Sequence, residues 1–264
     1  MTTDWLLSQN ERMKKQGIFN WTLPALTVRL KDRAPDGTTT VRTVPVCPSA
    51  GICAKFCYAL SADSGYIRFP AARARHLRNL RMVLDTPLLW QERMTAELRH
   101  RRYQPNAEKG RLGYIRVHDA GDFYDDAYTL MWLQIMRGAP KGLTFYAYTK
   151  EVSRFRRLVE PNPPANFKFV YSRGGKEDFL IDPSRDRDAD VFPTLAALEA
   201  AGYSSQAASD LLAVDGPPRV GMAVNRYRKD LTASFGELQR QQDDAAAARR
   251  VRQQSKARSA HASR

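Results

Sequence analysis

The chain has 264 residues, 43% of them hydrophobic, which is enough for one substantial core. It holds no run of about 18 apolar residues, which argues against a membrane span, and its first residues lack the basic-then-apolar order of a secretory signal. A net charge of +14, from 42 Lys and Arg against 28 Asp and Glu, points to a polyanionic partner, most simply nucleic acid or a nucleotide.

Residues 1–22 read as a polar lead-in, helical or irregular, ending near Gly17-Ile-Phe-Asn. From Leu23 to Leu30 the apolar positions come to alternate as in a strand. Arg33-Ala-Pro-Asp-Gly supplies turn chemistry, and Thr38–Val46 is β-branched enough for a second strand, so a hairpin is predicted to run directly into Cys47. Beyond the cysteines, Phe69-Pro-Ala-Ala-Arg starts a basic helix to about Leu84, carrying Arg73, Arg75, His76, Arg78 and Arg81. Thr86-Pro87 suits an N-cap and first turn, and Trp90, Met94 and Leu98 then fall on one helical face.

Gly113–His118 alternates as a strand and runs into Asp119-Ala-Gly-Asp-Phe-Tyr124. The next helix has Asp125 and Asp126 in its first turn, with Tyr128, Trp132 and Ile135 on one face, and stops at Gly138 and Pro140. Leu143–Thr149 is a strand, followed by a short helix with Val152, Phe155 and Val159 inward. Phe167–Ser172 is a strand that ends in Arg173-Gly-Gly, and Arg219–Val224 is a later one. Residues 176–218 are rich in charge and proline and show little regular pattern.

Strand, loop and helix repeated in this way predict an α/β fold. It is a single domain over residues 23–244, either a partial (β/α) barrel-like arrangement or an open, mostly parallel sheet with flanking helices. The segment 245–264 has basic residues and no acid and reads as a disordered tail suited to polyanion contact. In such folds the loops at the C-terminal ends of strands carry the site. His118–Tyr124, Thr149–Lys150 and Ser172–Gly175 are the candidates.

All three cysteines, Cys47, Cys53 and Cys57, lie within eleven positions, with gaps of five and three. An odd, clustered set fits a reducing cytoplasm better than a disulfide framework. Three close thiolates suit an iron–sulfur cluster such as 4Fe-4S, leaving one iron open to another ligand. A zinc ion would need His118, His76 or a carboxylate as fourth ligand. Buried inert thiols and a redox pair are the remaining readings.

His118 is a candidate proton carrier or fourth ligand. Asp119 stands beside it, and Asp122 is either a cofactor-orienting acid or the cap of the following helix. Tyr146 and Tyr148 share a strand face and suit stacking on a base or an adenine ring. Lys150 suits a carboxylate or phosphate. Ser172 and Gly174 belong to a turn that can offer backbone amides to a cofactor.

Cys47-Pro48 with Cys53 and Cys57-Tyr58-Ala59, then Arg116-Val-His-Asp-Ala-Gly-Asp-Phe-Tyr124, then Phe145-Tyr-Ala-Tyr-Thr-Lys150 together resemble the phage gene product 88 domain family, over roughly residues 40–175. That resemblance implies a protein of the cytoplasm of a phage-infected bacterial host. A looser resemblance is to radical S-adenosylmethionine (radical SAM) enzymes, partial α/β barrels whose cysteine loop follows the first barrel strand. Phe56 stands before Cys57 as an aromatic residue precedes their last cysteine. Ala120-Gly121-Asp122 sits where their loop touches the methionine amino group. The gaps of five and three depart from that family's usual three and two.

The resulting expectation is an iron–sulfur, radical-SAM-like enzyme binding S-adenosylmethionine and acting on a nucleic acid or nucleotide. Cys47, Cys53 and Cys57 would be the metal ligands, with Phe56, Tyr58 and Gly121 at the cofactor. The alternatives are a non-enzymatic nucleic-acid-binding phage protein with a structural Cys3His zinc site, and a host-interacting protein with no metal.

Overall fold

The computed structural model describes residues 5–224 and 230–262. Its strands, in chain order, are β1 (Phe19–Trp21), β2 (Thr27–Arg33), β3 (Thr39–Pro45), β4 (Tyr114–Val117), β5 (Thr144–Thr149), β6 (Phe167–Ser172), β7 (Asp188–Phe192), β8 (Ser204–Ser205) and β9 (Arg219–Ala223). Seven of them form one open, all-parallel sheet in the order β1-β4-β5-β6-β7-β9-β8, while β2 and β3 pair antiparallel as a separate hairpin.

From β1 to β7 each strand of the sheet is laid down on the same side of the one before it, and β9 then returns to lie between β7 and β8. Parallel crossovers are right-handed, so this winding carries the connecting helices to one face. There the helices Pro70–Asp85, Pro87–Leu98, Asp126–Arg137 and Val152–Leu158 pack Leu80, Trp90, Trp132 and Phe155 against Ile115, Val117, Phe145 and Phe167. Burying aromatic side chains of this size contributes about 1.5–3 kcal/mol each. On the other face a thinner layer covers the sheet: Met13 of the helix Glu11–Lys15, with Ala213 and Val214, rests on Tyr146, Val170, Ala189 and Val220.

The hairpin, the three middle strands and the helices between them stand where the periodicity puts them. Four features differ. The lead-in supplies β1, an edge strand of three buried residues. It pairs Phe19 with Ile115 and Trp21 with Val117. Thr86 does not cap its helix, because its hydroxyl donates back to the Met82 carbonyl at 3.2 Å. The irregular stretch 176–218 contains β7 and β8. In β7 the buried acid Asp188 is held by Arg173 and by the Tyr203 hydroxyl, a strand whose inward side chains are charged and so escape a hydrophobicity pattern.

The fourth difference is the tail. Beyond Ala245 the chain continues the helix Phe235–Ala262. Alanine, glutamine and arginine all favour helix, and after Gly236 no glycine or proline interrupts the run. Among the described residues no helix is long and apolar enough to cross a membrane.

Candidate functional site

A cavity of about 510 Å³ lies over the C-terminal ends of β4, β5, β6 and β7, within the usual size of a small-molecule site. Cys47, Cys53 and Cys57 all line it, with Phe56 and Tyr58 from the same loop. His118, Asp119, Gly121 and Asp122 enter from the turn after β4. Tyr148 and Lys150 enter from β5, and Ser172 from β6. The sequence-predicted site therefore converges, with two exceptions taken up below.

The cysteine loop is tied to almost every element around it. Gly51 and Cys53 donate their amides to the Gly174 carbonyl at 3.2 and 3.1 Å. The Ser49 amide donates to the Glu151 carboxylate at 2.8 Å, and the Ile52 amide to Gln239 of the last helix at 2.7 Å. Phe56 stacks on Phe235 with centroids 5.6 Å apart. Such a loop is fixed before any ligand arrives.

The Leu26 amide donates to Cys47 Sγ at 3.2 Å. Burial pushes the Cys47 and Cys57 thiols upward, so without a bound metal both are protonated and poorly nucleophilic. Among the described residues no three His, Cys, Asp or Glu side chains are gathered to hold a metal ion.

Among the described residues two non-glycine residues have left-handed backbone, Leu26 at φ 60° and His118 at φ 68°, and both line the cavity. Strain of this kind is worth about 1–3 kcal/mol and gathers at working sites. His118 is buried, its Nε2 lies 2.8 Å from the Tyr128 hydroxyl, and its Nδ1 has no hydrogen-bond partner. The Tyr128 hydroxyl also accepts from Trp21 Nε1 at 2.8 Å. An arrangement in which Tyr128 donates to Nε2 leaves Nδ1–H as an unspent donor. Burial, with the nearby Arg116 charge, holds the His118 pKa down at about 3. Neutral in this setting, His118 presents Nδ1 as a donor or a ligand.

Asp122 accepts hydrogen bonds from its neighbour Phe123's amide at 2.8 Å, the Thr149 hydroxyl at 2.7 Å and the Lys150 amide at 2.9 Å. It clamps the β4 loop to the end of β5. Asp125 is the helix cap instead, accepting from the Tyr128 amide at 2.7 Å. Lys150 Nζ donates to the Ser172 carbonyl, the Ser172 hydroxyl and the Arg173 carbonyl, all within 2.9 Å. Its three donors are spent inside the protein, so it positions the β6 turn and does not reach for an anion. The amides of Gly174 and Gly175 go to the Asp178 carboxylate at 2.6 and 2.9 Å. Gly174 therefore braces the cysteine loop through its carbonyl and offers no amide to a cofactor.

Tyr146 is the other exception. It is fully buried and its hydroxyl donates to Asp210 at 2.5 Å, leaving no face for a ligand ring. Tyr148 does reach the cavity, but the Arg116 guanidinium covers its ring at 5.0 Å. Arg116 also pairs with Asp119 at 3.4 Å and Asp210 at 3.3 Å, and its Nε is buried without a partner. Sequence reasoning missed Arg116, Asp210, Glu151 and Gln239 as site residues. An arginine on the inward face of an otherwise buried strand was the available signal for the first.

Glu151 sits behind the cysteine loop, buried beside Asp122. Burial, with the Asp122 charge, raises its pKa to about 7. A family model described as Gene product 88 matches residues 5–254. No curated protein and no solved structure matches the chain.

Proposed function

The chain belongs to the gene product 88 family, and on that premise we propose that it is an iron–sulfur enzyme of radical S-adenosylmethionine type, acting on a nucleic acid or nucleotide in the cytoplasm of an infected bacterium. The observation that carries this reading is the convergence of all three cysteines on one cavity at the strand ends. Their loop follows β1, the first strand of the sheet, and the hairpin of β2 and β3, and the sheet winds in one direction from β1 to β7.

The donor set suits a cluster better than a single ion. A cluster spreads its thiolates over separate irons and welcomes amides directed at sulfur, as found at Cys47. When bound through Cys47, Cys53 and Cys57, it would supply the electron that cleaves S-adenosylmethionine.

The chain's own side chains have narrower tasks. Phe56, stacked on Phe235, shields the cavity wall from water. Arg116 with Asp119 and Asp210 gives the wall a fixed, paired charge that can orient a polar ligand. His118 offers a neutral N–H, and Asp122 and Lys150 hold the two loops in place. The body's positive charge draws a polyanionic substrate.

The test is anaerobic incubation of the reconstituted protein with S-adenosylmethionine and a strong reductant. Release of 5′-deoxyadenosine, absent in Cys53→Ser, supports the proposal; no release from protein with full iron content sinks it.

A further inference from the structure

We propose that the lobe formed by residues 58–76 is a binding surface for single-stranded nucleic acid that leads an unpaired nucleotide into the cavity. This deepens the functional reading above, since it rests on the cavity being the place of reaction.

The lobe exposes large apolar side chains that a soluble surface has no structural reason to expose together. Tyr58 is 57% exposed, Phe69 58%, Ile67 48% and Leu60 41%. They are held in shape by short-range bonds: Ser64 Oγ donates to the Ala59 carbonyl at 2.8 Å and accepts from the Ile67 amide at 3.2 Å. The exposure is therefore a feature of a folded element.

Arginines are interleaved with those rings. The Arg68 guanidinium lies 5.8 Å from the centre of the Phe69 ring, and that of Arg73 lies 5.8 Å from the Tyr66 ring, which in turn leans on His76 at 5.2 Å. Arg68, Arg73 and Arg75 are exposed, and from residue 58 to 76 the single acid is Asp63. Flat rings beside cations are what unpaired bases and their phosphates require. A duplex keeps its base faces stacked and has no use for exposed rings.

The lobe is continuous with the site. Tyr58 lines the cavity, and its hydroxyl donates to Asp119 Oδ1 at 3.4 Å. A base stacked on Tyr58 would already stand at the mouth.

The experiment is fluorescence anisotropy on full-length protein purified without oxygen, using a labelled single-stranded oligonucleotide and a duplex of the same length across a salt series. Single strands are expected to bind more tightly than duplex. Phe69→Ala should weaken single-strand binding about 5- to 150-fold, the worth of one base–aromatic stack. Arg73→Gln should lower the slope of log affinity against log salt by about 0.7. Both residues are exposed, so the variants should keep the wild-type circular dichroism spectrum.

Equal affinity for duplex, or an unchanged Phe69→Ala variant, overturns the proposal. So does absence of oligonucleotide binding in protein that instead dimerises, or adheres to anionic vesicles, through Phe69. Iron and sulfide are counted on the same sample, which separates the two claims. Cluster without single-strand binding rejects this surface alone, while single-strand binding without iron keeps the surface and rejects the enzyme.

Discussion

Asp122→Ala removes the acceptor that joins the β4 loop to β5. Three donors lose it: the Phe123 amide at 2.8 Å, the Thr149 hydroxyl at 2.7 Å and the Lys150 amide at 2.9 Å. The first is a contact with the adjacent residue and the hydroxyl can turn, so the Lys150 amide carries most of the damage. A buried donor left unsatisfied costs about 1–3 kcal/mol. Burial also raises the Asp122 pKa, so the variant escapes the penalty of desolvating a carboxylate, and water in the cavity can reach part of the gap. The net expectation is a loss of about 2 kcal/mol, a substantial part of a typical 5–15 kcal/mol. Urea unfolding followed by circular dichroism measures it, and a double-mutant cycle with Thr149→Val should give a coupling of about 1 kcal/mol. A loss below about 0.5 kcal/mol, or strict additivity in the cycle, would refute the clamp and return Asp122 to the set of ligand-binding acids.

Gly174 and Gly37 both have positive φ, 92° and 88°, but an added Cβ at Gly174 would meet Phe235 Cβ at 2.9 Å while Gly37 has open space. Ala at Gly37 should cost about 1 kcal/mol and Ala at Gly174 about 2–4 kcal/mol, and equal losses on thermal unfolding would contradict the packing described. Glu151 has its pKa raised from 4.5 to about 7. The folded state therefore binds more protons than the unfolded chain between those values, and stability from this group falls as pH rises from about 5 to 7. Glu151→Gln should flatten that slope by roughly 1–3 kcal/mol, leaving a smaller contribution from Asp190, raised by burial to about 6; an unchanged slope counts against it. Truncation after Asp244 removes a helical segment whose described side chains are exposed. It should change stability by less than about 0.5 kcal/mol, whereas Gln239→Ala, which frees the Ile52 amide, should destabilise by about 1–3 kcal/mol.

What the sequence could disclose depended on how locally each feature is encoded. β4, β5 and β6 are legible because their buried side chains are apolar on the helix-covered face. β1 is not, since Phe19-Asn-Trp is too short to show a period and is recognisable only by its partner β4. β7 hides because its buried side chains include Asp188, held by Arg173 and Tyr203 from distant loops, and Asp190, held by the Val191 and Gly236 amides. The cysteines and the His118 turn were visible as residue types at short spacing. Their roles were not, because a role depends on what is already bonded. Lys150 is an anion binder by type and a brace by its three acceptors. Arg116 meets Asp210 across 94 residues of chain, a pairing that only the fold creates.

The central claim is that the three cysteines hold an iron–sulfur cluster. It is tested most directly by iron, sulfide and zinc content, with a visible spectrum, on protein purified without oxygen. The account predicts about four irons and four sulfides per chain with broad visible absorption, lost in Cys53→Ser while the fold persists. Stoichiometric zinc without iron, or three cysteines that can all become serine with no change in metal content, would contradict it.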